Sequence, residues 1–206
     1  MPRAVTAAIY RAHVVLTGTT GLVLNNIRLA DPEDPVVIER KQITGKRQMT
    51  SEDRERAEFL QWNGSLYEEA GQIIFPVVNV LRSVQSIAAA FRDKTRVERG
   101  VSSAGAVSVP LQYNGPSDLQ KLYEDPRFRF RTMVNGNPSS GKKAMVPSLR
   151  PVFPEWRIEL GLIVFNDVLG WDQFAKYVEL AGSGEGIGNA RKLGYGRFTA
   201  EISKSE

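Results

Sequence analysis

The residues best suited to chemistry lie near the C-terminus, in Gly182 to Phe198, GSGEGIGNARKLGYGRF, where glycines recur around a central basic pair. Glycine admits left-handed backbone angles and close approach by another molecule. Successive backbone N–H groups in such a loop, around Gly186 and Gly188, can form an anion-binding concavity. Arg191, Lys192 and Arg197 add charge that a phosphate backbone would meet. Tyr195 and Phe198 offer a surface for stacking unpaired bases, worth about 1–3 kcal/mol per base. In an extended segment positions 195 and 198 face opposite sides, so only one of the two can serve. Tight turns at a helix end would use the same glycines. A dinucleotide fingerprint does not fit, because it needs a strand before its glycines and a helix after them, and here the order is reversed.

Three further basic clusters point the same way: Arg40, Lys41, Lys46 and Arg47; Arg127, Arg129 and Arg131; Lys142 and Lys143. If PRFRFRTMV is extended, its arginines project from one side and Phe128 and Phe130 from the other, a basic ribbon on an apolar base. GNPSSGKK, Gly136 to Lys143, nearly spells a phosphate-binding P-loop. Lys143 stands where that motif holds magnesium through Ser or Thr, and AMVP cannot begin the required helix, so a basic hairpin tip is expected.

Hydrolytic chemistry is the alternative. His13 is the only histidine, and Asp31 and Asp34 could recruit magnesium for phosphodiester cleavage. The prolines flanking these aspartates suit plain turn residues, and a lone histidine within a strand is usually structural. The leading reading assigns no catalytic residue, no metal and no cofactor.

These candidates need a scaffold, and 206 residues supply one substantial core. A single domain over 1–206 is expected, with insertions at about 26–72 and 112–152. A formal charge of +4 is compatible with nucleic acid without requiring it. With no cysteine, disulfide frameworks, thiolate metal sites and cysteine nucleophiles are excluded, which fits a reducing cytoplasm. No run approaches the roughly 20 apolar residues of a spanning helix and no signal peptide stands out, so a soluble cytoplasmic protein without membrane contact is expected.

Ala7 to Thr17 reads as a first strand, and Thr50 as the cap of a short, mostly solvated helix beginning SEDRER. The stretch from Arg40 to Arg47 reads as a basic loop. Pro76 opens the strongest helix, with Val77, Val80, Leu81, Val84, Ile87, Ala88 and Phe91 at helical spacing. Strands are expected over Ala106 to Leu111, Glu155 to Phe165 and Tyr195 to Ile202, with a hairpin between Arg127 and Arg150. A last helix is capped by Asn166 or Asp167. Strand, helix, strand, strand, helix, strand is the α+β, ferredoxin-like split βαβ order that also underlies the RNA-recognition module.

Three stretches carry a family resemblance. GIGNARKLGYGRF, Gly186 to Phe198, is similar to the glycine-rich loop between the last helix and last strand of the RAMP superfamily (repeat-associated mysterious proteins). IIFPVVNVLRSVQSIAAAFR, Ile73 to Arg92, resembles the segment entering that superfamily's first helix, although Val77 and Val78 stand where small polar residues are usual. VVLTGTTGLVLNN, Val14 to Asn26, resembles the first strand and loop of its backbone-type members, including solitary versions in phage genomes.

The resemblance implies a palm on the split βαβ core and a hairpin thumb, for which 127 to 150 is the candidate. It also implies head-to-tail assembly along single-stranded RNA, as in the guide-RNA-coating backbone subunits of CRISPR effector complexes that serve antiviral defence. The expected function is non-catalytic binding of single-stranded RNA or DNA by a homo-oligomer or filament, with other effector subunits as further partners. The alternatives are an endoribonuclease of the processing branch, or a phage protein that imitates an effector subunit and binds protein.

Overall fold

The structure, a computed structural model, describes residues 8–136 and 144–205. In chain order its elements are β1 (Ile9–Gly18), β2 (Leu22–Val23), α1 (Pro35–Thr44), α2 (Ser51–Gly64), β3 (Glu68–Glu69), β4 (Gln72–Pro76), α3 (Val77–Ala90), α4 (Lys94–Gly100), β5 (Val101–Ser103), β6 (Ser108–Tyr113), α5 (Leu119–Glu124), β7 (Arg129–Gly136), β8 (Ala144–Phe153), β9 (Trp156–Phe165), α6 (Trp171–Leu180) and β10 (Phe198–Ser205). Two compact units form. Met1–Leu22, Gly71–Asn114 and Glu155–Glu206 make the first, and Val23–Ala70 with Gly115–Pro154 the second.

The first unit is α+β. Its sheet runs β10-β1-β9-β6-β4, with β5 also on β9, and the pairs β1–β10, β1–β9, β9–β6, β9–β5 and β6–β4 are antiparallel. Taken with α3 and α6, the last, first, third and second strands lie side by side, the strand order of a split βαβ unit. Side-chain alternation explains why the sheet has two unlike faces. Ala12, Val14 and Leu16 of β1 and Ile158, Leu160, Leu162 and Val164 of β9 are buried. The helices contribute Val77, Val80, Val84 and Ala88 from α3 and Phe174, Tyr177 and Val178 from α6 to the same core. Arg11, His13 and Thr17 alternate with the buried positions of β1, as Arg157 and Glu159 do on β9, and all five are exposed.

Among the boundaries in this unit that differ from expectation, two bear on the site. Helix α6 begins at Trp171 rather than beside Asn166, because the N–H groups of Val168 and Leu169 first close a turn on the carbonyl of Phe165. Asn166 still contributes: its Oδ1 accepts from the Trp171 N–H at 3.0 Å. Strand β10 begins at Phe198 rather than Tyr195, since Gly194 and Gly196 sit at φ of 88° and 74°, outside the extended region.

In the second unit, Asp34 caps α1 through the Val36 N–H at 2.9 Å and Pro35 occupies the first turn. The expected basic loop is therefore mostly helix: Arg40 and Lys41 lie on α1, and only Lys46 and Arg47 follow it. Thr50 caps α2 as expected, in a reciprocal capping box with Asp53. That helix is longer and less solvated than its polar start suggests. Ala57, Leu60 and Trp62 are buried, and the Trp62 indole N–H donates to the Phe128 carbonyl at 2.8 Å.

Strands β7 and β8 form the hairpin, pairing Arg129 with Pro151 and Arg131 with Leu149. Pro126–Phe128 is a 3-10 turn with Phe128 buried, so Arg127 stands outside the strand and the three arginines do not form one ribbon. Lys142, Lys143 and most of the P-loop-like stretch lie outside the described residues. Among the described residues no helix is long and apolar enough to cross a membrane.

Candidate nucleic-acid interface

The glycine-rich stretch is built from the core outward. Helix α6 passes into a π-helical turn, Ala181–Glu185, which ends at Gly186 with φ of 75°. The Gly186 N–H bonds to the Ala181 carbonyl at 2.7 Å, and its own carbonyl accepts from the Ser83 hydroxyl at 2.7 Å. The descending limb then meets the ascending one backbone to backbone. Ile187 donates to the Gly196 carbonyl at 2.9 Å, and Gly196 donates to the Gly21 carbonyl at 2.8 Å.

A second clamp comes from the loop after β1. The Thr20 hydroxyl donates to the Gly194 carbonyl at 2.9 Å, and its oxygen accepts from the Arg197 N–H at 3.0 Å. Thr20 is itself held by the Trp156 indole N–H, which donates to its carbonyl at 2.8 Å. Helix α3, the β1 loop and β9 thus all position one loop.

Ser83 is fully buried on α3, and the Gly186 carbonyl that it serves is buried as well. Ser83→Ala is expected to destabilise the protein by about 1–3 kcal/mol, the range for removing one partner of a buried hydrogen bond. Ser86→Ala, on the exposed side of the same helix, should stay within about 0.5 kcal/mol. Denaturant midpoints of the two variants decide this; equal midpoints would show that Ser83 does not hold the loop.

The clamps consume much of the backbone. The N–H groups of Gly186, Ile187, Gly194 and Gly196 all bond to the protein's own carbonyls, so at these positions the glycines serve close self-packing. Charge is left to the side chains. Arg191 is offset by Glu185, Nη1 to Oε1 at 2.5 Å. Lys192 is exposed and has no ion pair among the described residues. Arg197 is half-buried; its Nη2 donates to the Arg191 carbonyl at 3.5 Å, while Nη1 is buried with no acceptor among the described residues. Of the two aromatics, Phe198 is core, 3% exposed and edge-on to Trp156, whereas Tyr195 is half-buried. Leu193, beside Lys192, is 66% exposed.

The remaining basic candidates belong to the second unit, and most are engaged. Arg127 pairs with Asp125 at 2.7 Å and holds that carboxyl below its ordinary range. Arg131 grips both oxygens of Glu58, at 2.8 and 2.6 Å. Arg129 stacks over the Tyr123 ring at 5.5 Å, and Lys46 pairs with Asp53 at 2.5 Å. Lys41 and Arg47 are exposed without an ion pair among the described residues. Arg40 and Arg131 line one pocket together with Arg54, which sequence reasoning missed. The signal was present: Arg54, Glu58 and Gln61 are spaced i, i+4, i+7 on one helix face.

The residues of the hydrolytic alternative have local structural partners. Asp34 caps α1 and accepts from Arg28 at 2.8 and 3.2 Å, and the Arg28 hydrogen bond is the main cause that lowers its carboxyl from 3.8. Asp31 accepts from the Glu33 N–H at 2.9 Å. His13, on the exposed side of β1, meets Glu159 at 2.7 Å, with the two side chains 54% and 47% exposed. Among the described residues no group of three His, Cys, Asp or Glu could hold a metal ion.

An α+β unit with an antiparallel sheet, and a basic loop pinned between its last helix and last strand, is the class that these observations define. Among solved structures the chain is similar to Cmr6 from Pyrococcus furiosus, at 12% identity and a TM-score of 0.39, covering 94% of this chain and 99% of that one. It is also similar to a chain of the Type III-B Cmr-beta complex bound to cognate target RNA, at 11% identity and a TM-score of 0.45. That match covers 96% of this chain and 61% of the other. No family model matches the sequence, and no curated protein does.

Proposed function

We propose that the protein is a non-catalytic, cytoplasmic binder of single-stranded nucleic acid, RNA in preference to DNA, several copies of which line up along one strand. The observation that carries this is the pair Lys192 and Arg197, two cations that no carboxylate among the described residues offsets, held on a loop pinned by Ser83, Thr20 and Gly21. A rigid loop bearing uncompensated charge meets phosphates without an ordering cost at the moment of binding. Tyr195 is the aromatic that would stack on a base, and Lys41 and Arg47 are further phosphate contacts. Such a role is that of the guide-RNA-coating backbone subunits of the RAMP superfamily, whose motifs the sequence resembles. Other effector subunits are then natural partners.

The test is fluorescence anisotropy with labelled single-stranded RNA, the same sequence as DNA, and a duplex, each at several salt concentrations. Single-stranded RNA should bind tightest, with a log–log salt slope of about −0.7 per phosphate contacted. The number of bound protomers should rise with strand length. Cleavage of the RNA, with or without magnesium, would overturn the non-catalytic reading. Protein that purifies free of nucleic acid and binds none would overturn the whole.

A further inference from the structure

The second unit holds a pocket of about 250 Å³ whose charge is unbalanced. Arg40, Arg54 and Arg131 line it, and Met49, Pro147 and Leu149 supply apolar wall. Its one carboxylate among the described residues, Glu58, has both oxygens taken by Arg131, so that pair is neutral. Gln61 is committed too: its Nε2 donates to the Ser148 hydroxyl at 3.4 Å and its Oε1 accepts from the Leu149 N–H at 3.2 Å. Two guanidiniums remain. Arg54 is exposed and has no ion pair among the described residues. Arg40 is half-buried, its Nε sealed from solvent with no acceptor in reach among the described residues. Burial disfavours its charge and lowers its pKa. Taking a cation partly out of water without a counter-charge is costly, and an anion brought into the pocket would offset that cost.

We infer that this pocket takes a phosphate group, and that on a nucleic acid it prefers the terminal monoester to an internal diester. The inference rests on the single-strand reading above for its ligand, though not for its chemistry. Two uncompensated guanidiniums match a monoester, which carries about −1.5 to −2 at pH 7, whereas a diester carries a single charge. Guanidinium forks bind such tetrahedral oxyanions through paired N–H donors, and the apolar wall strengthens each contact by excluding water. In a polynucleotide a monoester occurs only at an end. A protein with this pocket reads where a strand starts or stops as well as binding along it.

The experiment compares one RNA sequence carrying a 5′-phosphate, a 3′-phosphate or hydroxyl ends, with inorganic phosphate and an acidic peptide titrated separately by calorimetry. One phosphorylated end should bind about tenfold tighter than the hydroxyl-ended strand, the worth of a charge-assisted contact. Arg54→Ala should erase that difference and leave hydroxyl-ended RNA unchanged, and Arg40→Gln should erase it too. Arg54→Ala changes an exposed residue and keeps the test open if Arg40→Gln fails to fold. Equal affinity for all three ends, with RNA binding intact, overturns the pocket and leaves the proposed function standing. If no RNA binds, the proposed function falls and inorganic phosphate decides the pocket: saturable binding lost in Arg54→Ala supports it, and none refutes it. An acidic peptide that binds the pocket as tightly as phosphate would likewise overturn the assignment.

Discussion

Gly196→Ala is expected to cost at least about 3 kcal/mol and to free the loop from the sheet. A Cβ on Gly196 would lie 1.9 Å from the Ile187 carbonyl oxygen, and that neighbour is backbone, which cannot swing aside as a side chain does. Relief requires the two limbs to part, which breaks the Ile187 to Gly196 and Gly196 to Gly21 hydrogen bonds. The φ of 74° adds the strain of a left-handed conformation for a residue bearing Cβ. Gly194 separates the two contributions. It also has positive φ, 88°, but a Cβ added there would meet nothing within 4 Å among the described residues, so Gly194→Ala should cost only about 1 kcal/mol. Equilibrium denaturation of the two variants gives the comparison, and equal losses would mean that close packing at Gly196 does not hold the loop.

Arg191→Ala with Lys192→Ala should weaken binding to single-stranded RNA and flatten its salt dependence by about 0.7 in log–log slope for each phosphate that the variant no longer neutralises. The geometry refines this. Arg191 is already offset by Glu185, so most of the effect should come from Lys192. Glu185→Gln removes the competing carboxylate and should move affinity the other way, upward, with a steeper salt slope. A structural role for these residues would give no such opposite pair of effects. Unchanged affinity in the double variant, with the fold intact by circular dichroism, would remove the loop from the binding surface.

The α+β class and the main strands and helices of the first unit were legible because their signals are local, whereas α4 and β5 were not expected. Alternation marks β1 and β9, Pro76 stands at the start of α3, and in the second unit Thr50 stands before α2 as its cap. The charges and glycines of the candidate site were equally plain. Their roles were not. In sequence Gly186, Gly188 and Arg191 suggest a concavity of free N–H groups with three bare cations, but hydrogen-bond partners are chosen across the chain: Ser83, Thr20 and Gly21 take up the loop's polar backbone. Charge follows the same rule. Arg131 and Arg40 look alike along the chain, yet Glu58 from α2 neutralises the first, and no carboxylate among the described residues neutralises the second. Local periodicity depends on neighbours a few residues away, so the chain alone determines it; compensation of a charge or a carbonyl depends on what arrives from a hundred residues off, and only the tertiary structure decides that.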